Sequence, residues 1–418
     1  MSKHNRLKIG FIGLGKLGAP CAEVMASLYD VAGYDIVPAA PRNVLVTTDL
    51  AQCVTGRDLV FVAVPTPHDS LYDGSLPSSH LPPKDFAYET VCGVLEALNN
   101  HLGPNQLVAL LSTVLPGTVR SRFLPHVRNY RFIYNPYFIA MGTVAWDMVN
   151  PEMVLLGTED GRMTADAQRM IDFYRPLMHN DPRYIVGTWD EAECIKVFYN
   201  TLISAKLSLV NMIQDVAELS GNINVDVVTD ALAGSSMRIT GPQYMRAGLG
   251  DGGPCHPRDN IALRFLSERL GLEYDLFGEI MRSREFQAKR MAEHLVLHSR
   301  RLGLPIIILG KSYKPGVPYT DGSYSLLVGH YCKEMQCRPF YVDPLTGDVL
   351  EAELGNPPAG VFLLAHSPLV IPRSSGGAQD LQMYCQIGPG SVVVDPWRKC
   401  GPIADVEVIH YGDTRSRG

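Results

Sequence analysis

The sequence predicts an α/β protein in which two open parallel-sheet domains are joined by a central helical domain with a long linking helix. Three observations carry this. Apolar runs of strand length recur around Ile9, Leu59 and Leu107, and again around Ile306, Val361 and Val392, as in parallel strands buried on both faces. A glycine-bearing turn follows the first run of each set, at 13–18 and 310–316. Between the sets, Asp190–Leu219 contains neither Pro nor Gly. The expected domains are 1–189, 190–298 and 299–418.

The first element is the strand Lys8–Ile12, leading into Gly13-Leu14-Gly15-Lys16-Leu17-Gly18, a helical segment, and a second strand ending Tyr34-Asp35. Strand, glycine turn, helix and an acid about 20 residues on form the dinucleotide fingerprint in its proper context, which makes the sheets Rossmann-like. Gly13 makes the turn, Gly15 admits a pyrophosphate, and Gly18 lets the helix pack on the sheet. Leu14, Lys16 and Leu17 complete the turn, and the helix N-terminus faces the phosphates. A carboxylate at Asp35 suits the ribose 2′-hydroxyl of NAD and repels the 2′-phosphate of NADP.

Asp58–Val64 is the next buried strand, closing in Pro65-Thr66-Pro67, and a polar loop runs from His68 to Pro83. Gln106–Leu111 follows, with Ser112-Thr113-Val114-Leu115-Pro116-Gly117-Thr118 as its C-terminal loop. Ligands of open α/β sheets bind beyond the carboxyl ends of the strands. Pro65, Thr66 and Thr113 are therefore placed near the nicotinamide, with helix capping as the plainer role for the threonines. Arg131–Phe138 is a further strand and loop, and Pro151–Gly157 begins another.

In 190–219, Ile195, Phe198, Leu202, Ala205, Leu209, Met212 and Val216 repeat at steps of three and four. Ile203, Leu207, Val210 and Ile213 make a second apolar face, so the helix should be buried on both, linking domains and packing on a partner subunit. Lys196 and Asn200 share one face. Lys196 either snorkels or serves in chemistry.

Downstream lies Gly250-Asp251-Gly252-Gly253-Pro254-Cys255-His256-Pro257-Arg258-Asp259. Pro257 suits a first helical position, and Ala262, Phe265, Leu266 and Leu270 have helical spacing. Cys255 then sits on a tight loop just before a helix N-terminus, where thiolate is favoured, with Asp259 one turn on. This is the arrangement of an activated nucleophile; the alternative is an ordinary small buried residue.

The third part repeats the α/β pattern: Pro305–Gly310, a helix from Tyr324 to Met335, Arg338–Asp343, Val361–Ala365, Val392–Asp395 and Val406–Ile409. Its Gly310–Gly316 loop either holds a phosphate or sugar or is surface loop.

Composition excludes several classes. A net charge of −6 on 418 residues offers no electrostatic case for nucleic acid or a membrane surface. Nine scattered cysteines follow neither zinc-ligand nor disulfide spacing, so no metal is expected. No apolar run reaches the roughly 18 residues of a membrane span. With no leader visible, a cytoplasmic protein is the expectation.

Taken together, these pieces resemble the UDP-glucose/GDP-mannose dehydrogenase family over nearly the whole chain. Gly252-Gly253-Pro254-Cys255-His256-Pro257-Arg258-Asp259 looks like the family's G-G-S-C-F-P-K-D. Lys196-x-x-x-Asn200, Ser112-Thr113-Val114-x-Pro116-Gly117-Thr118, Asn135-Pro136, Arg238-Ile239 and Lys314-Pro315 fall in the family's order. The resemblance implies NAD-dependent oxidation of a nucleotide sugar's C6 alcohol to a carboxylate, in two steps. Cys255 would trap the aldehyde, Lys196 and Asn200 would stabilise oxyanions, and Asp259 and Thr113 would position water. Phe138, Lys196, Asn200, Arg238, Gly252, Lys314 and Arg398 would meet the substrate. A homodimer is implied too.

Four positions depart from the family: Tyr137 and Met141 replace glutamates, Asp251 replaces an aromatic residue, and Asp321 replaces an arginine. Tyrosine is a poor base at neutral pH, with Glu193 or Asp259 as substitutes. Partial oxidation to the aldehyde, a β-hydroxyacid dehydrogenase and a non-catalytic nucleotide-sugar-binding relative are the competing readings.

Overall fold

The computed structural model describes residues 7–67, 82, 84–140, 142–241, 247–249, 255–315, 317–349, 359–366 and 385–414. At Leu207, Asn211, Cys255, His256, Arg258, Asp259 and Ala262 it describes the backbone alone. The chain divides into two compact units, Met1–Lys206 and Leu207–Gly418, so the division falls inside the long helix.

In the first unit, β1 (Lys8–Ile12), β2 (Asp30–Tyr34), β3 (Leu45–Thr47), β4 (Leu59–Val62), β5 (Leu107–Leu110), β6 (Arg131–Tyr134), β7 (Met153–Thr158) and β8 (Arg183–Thr188) form one sheet. Their spatial order is 3-2-1-4-5-6-7-8. All neighbours run parallel except β6 and β7, which meet antiparallel at Tyr134 and Gly157. The period of two sends Phe11, Phe61 and Ala109 to one face and Ile12, Val62 and Leu110 to the other. Helices α1 (Gly18–Ala26), α2 (Leu50–Val54), α3 (Glu89–Leu98), α4 (Val144–Val149) and α5 (Ala165–Tyr174) cover both faces. Met25, Met148 and Phe173 close the first, and Cys53 and Leu95 the second. The strands β3 and β8 escape a sequence reading because they lie at the sheet edges, β3 largely exposed and β8 largely only partly buried.

The linking helix α6 (Trp189–Ser220) is continuous over 32 residues. In the single chain Phe198, Leu202, Ile203, Leu209 and Val210 are exposed, with Phe198 at 56%, so the expected burial on both faces rests on the partner subunit.

The second unit holds α7 (Val225–Ala233), α8 (Cys255–Leu270), α9 (Leu276–Leu302), α10 (Tyr324–Glu334) and a five-stranded parallel sheet. The strands β9 (Ile306–Leu309), β10 (Phe340–Val342), β11 (Val361–Leu364), β12 (Val392–Asp395) and β13 (Glu407–His410) run in the order 10-9-11-12-13. Leu295 of α9 and Val328 of α10 pack on Ile306, Ile308 and Leu363. Ile307, Leu309, Phe362 and Val393 form the opposite face. α8 begins at Cys255, two residues before the expected start at Pro257. Pro257 is tolerated there because the first-turn N–H groups have no intrahelical partner to lose. Cys255 therefore belongs to the helix's first turn rather than to the loop before it. Among the described residues, no helix is long and apolar enough to cross a membrane.

Candidate active site

Where β1 and β4 part, the sheet reverses its winding and leaves a crevice at the strands' carboxyl ends. Gly13 stands there at φ +94°, and its N–H donates to the Tyr34 carbonyl at 2.9 Å. A Cβ at Gly13 would lie 2.7 Å from the Ala63 carbonyl oxygen, so the left-handed turn admits glycine alone. A Cβ at Gly18 would run into the Gly13 carbonyl, which lets α1 start hard against the turn. Gly15 is the reverse case: a Cβ there meets no protein atom within 4 Å. Gly15 and Lys16 are exposed, Leu17 is half-buried and Leu14 is buried. No side chain caps the N-terminus of α1. Asp35 accepts the Leu14 N–H at 2.6 Å and the Val37 N–H at 2.9 Å, which fixes its carboxylate at the rim of the turn. An open cradle over Gly15, an uncapped helix start and a rim carboxylate fit a pyrophosphate and the ribose beside it.

The loops after β4 and β5 are sewn together beside this cradle. Ser112 donates from its hydroxyl to the Val64 carbonyl at 2.5 Å, and Thr66 to the Thr113 carbonyl at 2.7 Å. Thr66 thus bridges two loops rather than capping a helix. Pro65 lies between these two bonded positions, and Tyr134 donates to the Ser112 carbonyl at 3.1 Å.

Lys196, on α6, is 9% exposed. Its ammonium donates to the Tyr137 carbonyl at 2.6 Å and stands 5.0 Å from the centre of the Phe138 ring. That ring is tilted on Tyr199 at 4.7 Å. Among the described residues no carboxylate pairs with Lys196, and burial lowers its pKa. Snorkelling is therefore not its arrangement. Asn200, one turn on, is exposed.

Tyr137 contributes its carbonyl to this group, while its hydroxyl turns into the core. It shares a 2.7 Å hydrogen bond with the Tyr174 hydroxyl, which in turn donates to Asn135. Burial, and then Tyr174, pushes the Tyr137 hydroxyl well above its ordinary pKa. Glu193, considered above as a substitute base, is fully buried and accepts the N–H groups of Gly117 and Val119, each at 2.6 Å. Sequence reasoning missed that role. Glu193, Lys196 and Asn200 at i, i+3 and i+7 form one helical stripe, which was the available signal.

In the second unit, Cys255 opens α8 and Asp259 follows one turn later on the same helix. Gly252, Asp251 and Met141 lie outside the described residues. Arg238 is exposed after α7, and Asp321 is exposed before α10. Lys314 stands 5.3 Å from the Tyr313 ring centre. The turn after β9 closes around the carboxylate of Asp343, which accepts from the Lys311 N–H at 2.9 Å, the Ser312 N–H at 2.8 Å and the Ser312 hydroxyl at 2.7 Å. Lys311 pairs with Asp348 at 2.7 Å. Those two residues are therefore committed within the protein and are not a phosphate cradle. Arg398, at φ +57°, donates to the carbonyls of Pro396, Tyr411 and Ala247. These bonds spend much of its guanidinium on the protein's own backbone.

This sheet order, glycine turn and rim acid define a dinucleotide-binding domain. Residues 35–178 match the model of the UDP-glucose/GDP-mannose dehydrogenase family's NAD binding domain, and residues 190–285 match that of its central domain. The two together take in more than half of the chain, which belongs to that family and binds NAD. GDP-mannose 6-dehydrogenase of Pseudomonas aeruginosa is 28% identical over 347 residues, 74% of this chain and 75% of that protein. UDP-glucose 6-dehydrogenase 3 of Oryza sativa subsp. japonica is 26% identical over 326 residues, 75% of this chain but 65% of that protein. A crystal structure of a ternary complex of GDP-mannose dehydrogenase from Pseudomonas aeruginosa shares the fold, with a TM-score of 0.75. The match covers 97% of this chain and 99% of that one at 20% identity.

Proposed function

We propose that the protein oxidises the C6 alcohol of a nucleotide-activated sugar to a uronic acid in two successive NAD-dependent steps. Lys196 carries the reading: a buried ammonium without a paired carboxylate among the described residues is suited to an oxyanion. Bound NAD supplies a hydride acceptor. Gly13, Leu14, Gly15, Lys16, Leu17 and Gly18 hold its pyrophosphate, Asp35 its ribose, and Pro65, Thr66 and Thr113 border the nicotinamide. Lys196, with Asn200, stabilises the alkoxide that precedes each oxidation. The Cys255 thiolate adds to the aldehyde carbon to form a thiohemiacetal, whose oxidation leaves a thioester. Water then cleaves the thioester to carboxylate and free thiol, with Asp259 and Thr113 placing the water. Phe138, Arg238, Gly252, Lys314 and Arg398 complete the substrate set in this reading, Arg398 through whatever donor capacity its backbone bonds leave.

The family's central-domain match beginning at 190 supports the first boundary of the proposed division into 1–189, 190–298 and 299–418. The exposed apolar faces of α6 support a homodimer, checked by sedimentation with Leu202→Glu, which should yield monomer.

The test is to incubate protein with NAD and a panel of UDP-, GDP-, dTDP- and CDP-sugars and count NADH per sugar consumed. Two per sugar upholds full oxidation, and none across the panel overturns the reading. Cys255→Ser should stop the reaction short of the acid; a variant that still completes it removes the thioester route. One NADH per sugar would establish a second reading, release of the aldehyde. The orientation of Tyr137 supports that outcome, since its hydroxyl is turned into the core against Tyr174 and does not serve as a base.

A further inference from the structure

We propose that Glu193 is a positioning residue whose anion holds the Ser112–Thr118 loop in its cofactor-binding form. Besides the bonds from Tyr134 to the Ser112 carbonyl and from Thr118 to the Tyr88 hydroxyl, three ties hold the loop. Ser112 is fixed to Val64, the Thr113 carbonyl accepts from Thr66, and the far end is fixed by Glu193 through the Gly117 and Val119 N–H groups. The first two ties belong to the edges of β4 and β5. The third alone comes from α6, so Glu193 couples the loop beside the nicotinamide to the helix that carries Lys196. Gly117 sits at φ +89°, a turn that these N–H bonds stabilise.

The arrangement depends on charge. Each carboxylate oxygen accepts one backbone N–H, so both are in use. A proton on either oxygen takes up one of its lone pairs and removes the charge, so the neutral acid holds the two N–H groups less strongly than the anion does. The groups around it are Asp190 on its own helix, Arg120 on the Val119–Phe123 turn, Tyr134 on β6 and Lys196 three residues along. Arg120 is paired with Asp190 at 2.8 Å. Burial raises the Glu193 pKa to about 7, against the pull of the Val119 and Gly117 N–H groups. The signs for binding and stability are opposite. Loop order needs the anion and is lost as pH falls through about 7. Fold stability prefers the proton, because the folded pKa lies above the ordinary value of 4.5. That contribution is complete below the ordinary value and is lost as pH rises through about 7.

The inference rests on the NAD-binding half of the site and is tested by binding, independently of sugar turnover. Calorimetric titration of the full chain with NAD should show roughly tenfold tighter binding at about pH 8 than at about pH 6. Glu193→Gln should bind weakly, like the wild type at low pH, at both values, and Glu193→Asp should restore part of the pH dependence. Thermal melts should show Glu193→Gln gaining stability over the wild type as pH rises, an effect opposite to its binding defect. Equal NAD affinity of wild type and Glu193→Gln, or wild-type binding that is flat with pH, overturns the proposal. If Glu193→Gln does not fold, the wild-type pH profile and Glu193→Asp decide: a flat wild-type profile or pH-independent binding by Glu193→Asp overturns it. Failure of sugar turnover with this pH-dependent binding intact would sink the dehydrogenase reading and leave the role of Glu193 standing.

Discussion

Gly13 and Gly310 hold the same place in their two sheets. Each follows the first strand of its unit at positive φ, +94° and +103°, and each donates its N–H to the last residue of the neighbouring strand at 2.9 Å. An aspartate follows that strand in both units, and its Oδ2 accepts the N–H of the residue after the glycine: Asp35 from Leu14, and Asp343 from Lys311. Beyond this point the corners diverge. In the first, Gly15 leaves open space and α1 starts at Gly18. In the second, Ser312 folds back on Asp343, Lys311 reaches Asp348, and His366 sits over Gly310, its Nδ1 2.6 Å from where a Cβ would be. Asp343 is fully buried, and its N–H and hydroxyl donors outweigh the burial penalty and lower its pKa, whereas Asp35 stays at the rim. One backbone corner is thus a ligand cradle when the residues after it leave open space, as at Gly15, and the acid reaches solvent. It is a structural knot when they do not.

The comparison can be broken most severely at Asp343. Asp343→Ala leaves the N–H groups of Lys311, Ser312 and Leu345 without their acceptor, and should destabilise the protein by about 4 kcal/mol. Chemical denaturation would measure this, and a loss under about 1 kcal/mol would show that the knot is not needed. Because the folded pKa of Asp343 is depressed, its stabilisation is present above the ordinary value of 3.8 and is lost as pH falls below it. The first corner should respond in affinity instead. Gly15→Val should leave the melting temperature nearly unchanged, since a Cβ meets nothing there, and should weaken NAD binding roughly tenfold or more. A stability loss comparable to that of Asp343→Ala would erase the distinction. The smallest effect is expected at Lys311→Met. Its pair with Asp348 is only partly buried, so the cost should stay within about 1 kcal/mol.

Much of this contrast was legible in the residues. The turn Gly13-Leu14-Gly15 with Asp35 twenty residues on is a local pattern, and so are the apolar runs at Ile306, Val361 and Val392, all of which are strands. Gly310–Gly316 resembled a second cradle because the sequence places Lys311 and Ser312 after a strand without showing that Asp343 and Asp348 claim them. Glu193 was readable as a substitute base, but not as the acceptor of the Gly117 and Val119 N–H groups. Tyr137 was readable as a missing base, but the direction of its hydroxyl was not.

The amino-acid order by itself determined where the buried strands, the glycine turns and the long helix α6 fall, since periodicity, glycine dihedrals and apolar runs act over a few residues of chain. Tertiary structure decided which carboxylate faces water and which is consumed, because the partners of Glu193 and Asp343 come from segments 74 and 32 residues away, respectively. A hydrogen bond depends on distance in space, and burial turns that distance into the difference between a binding group and a structural one.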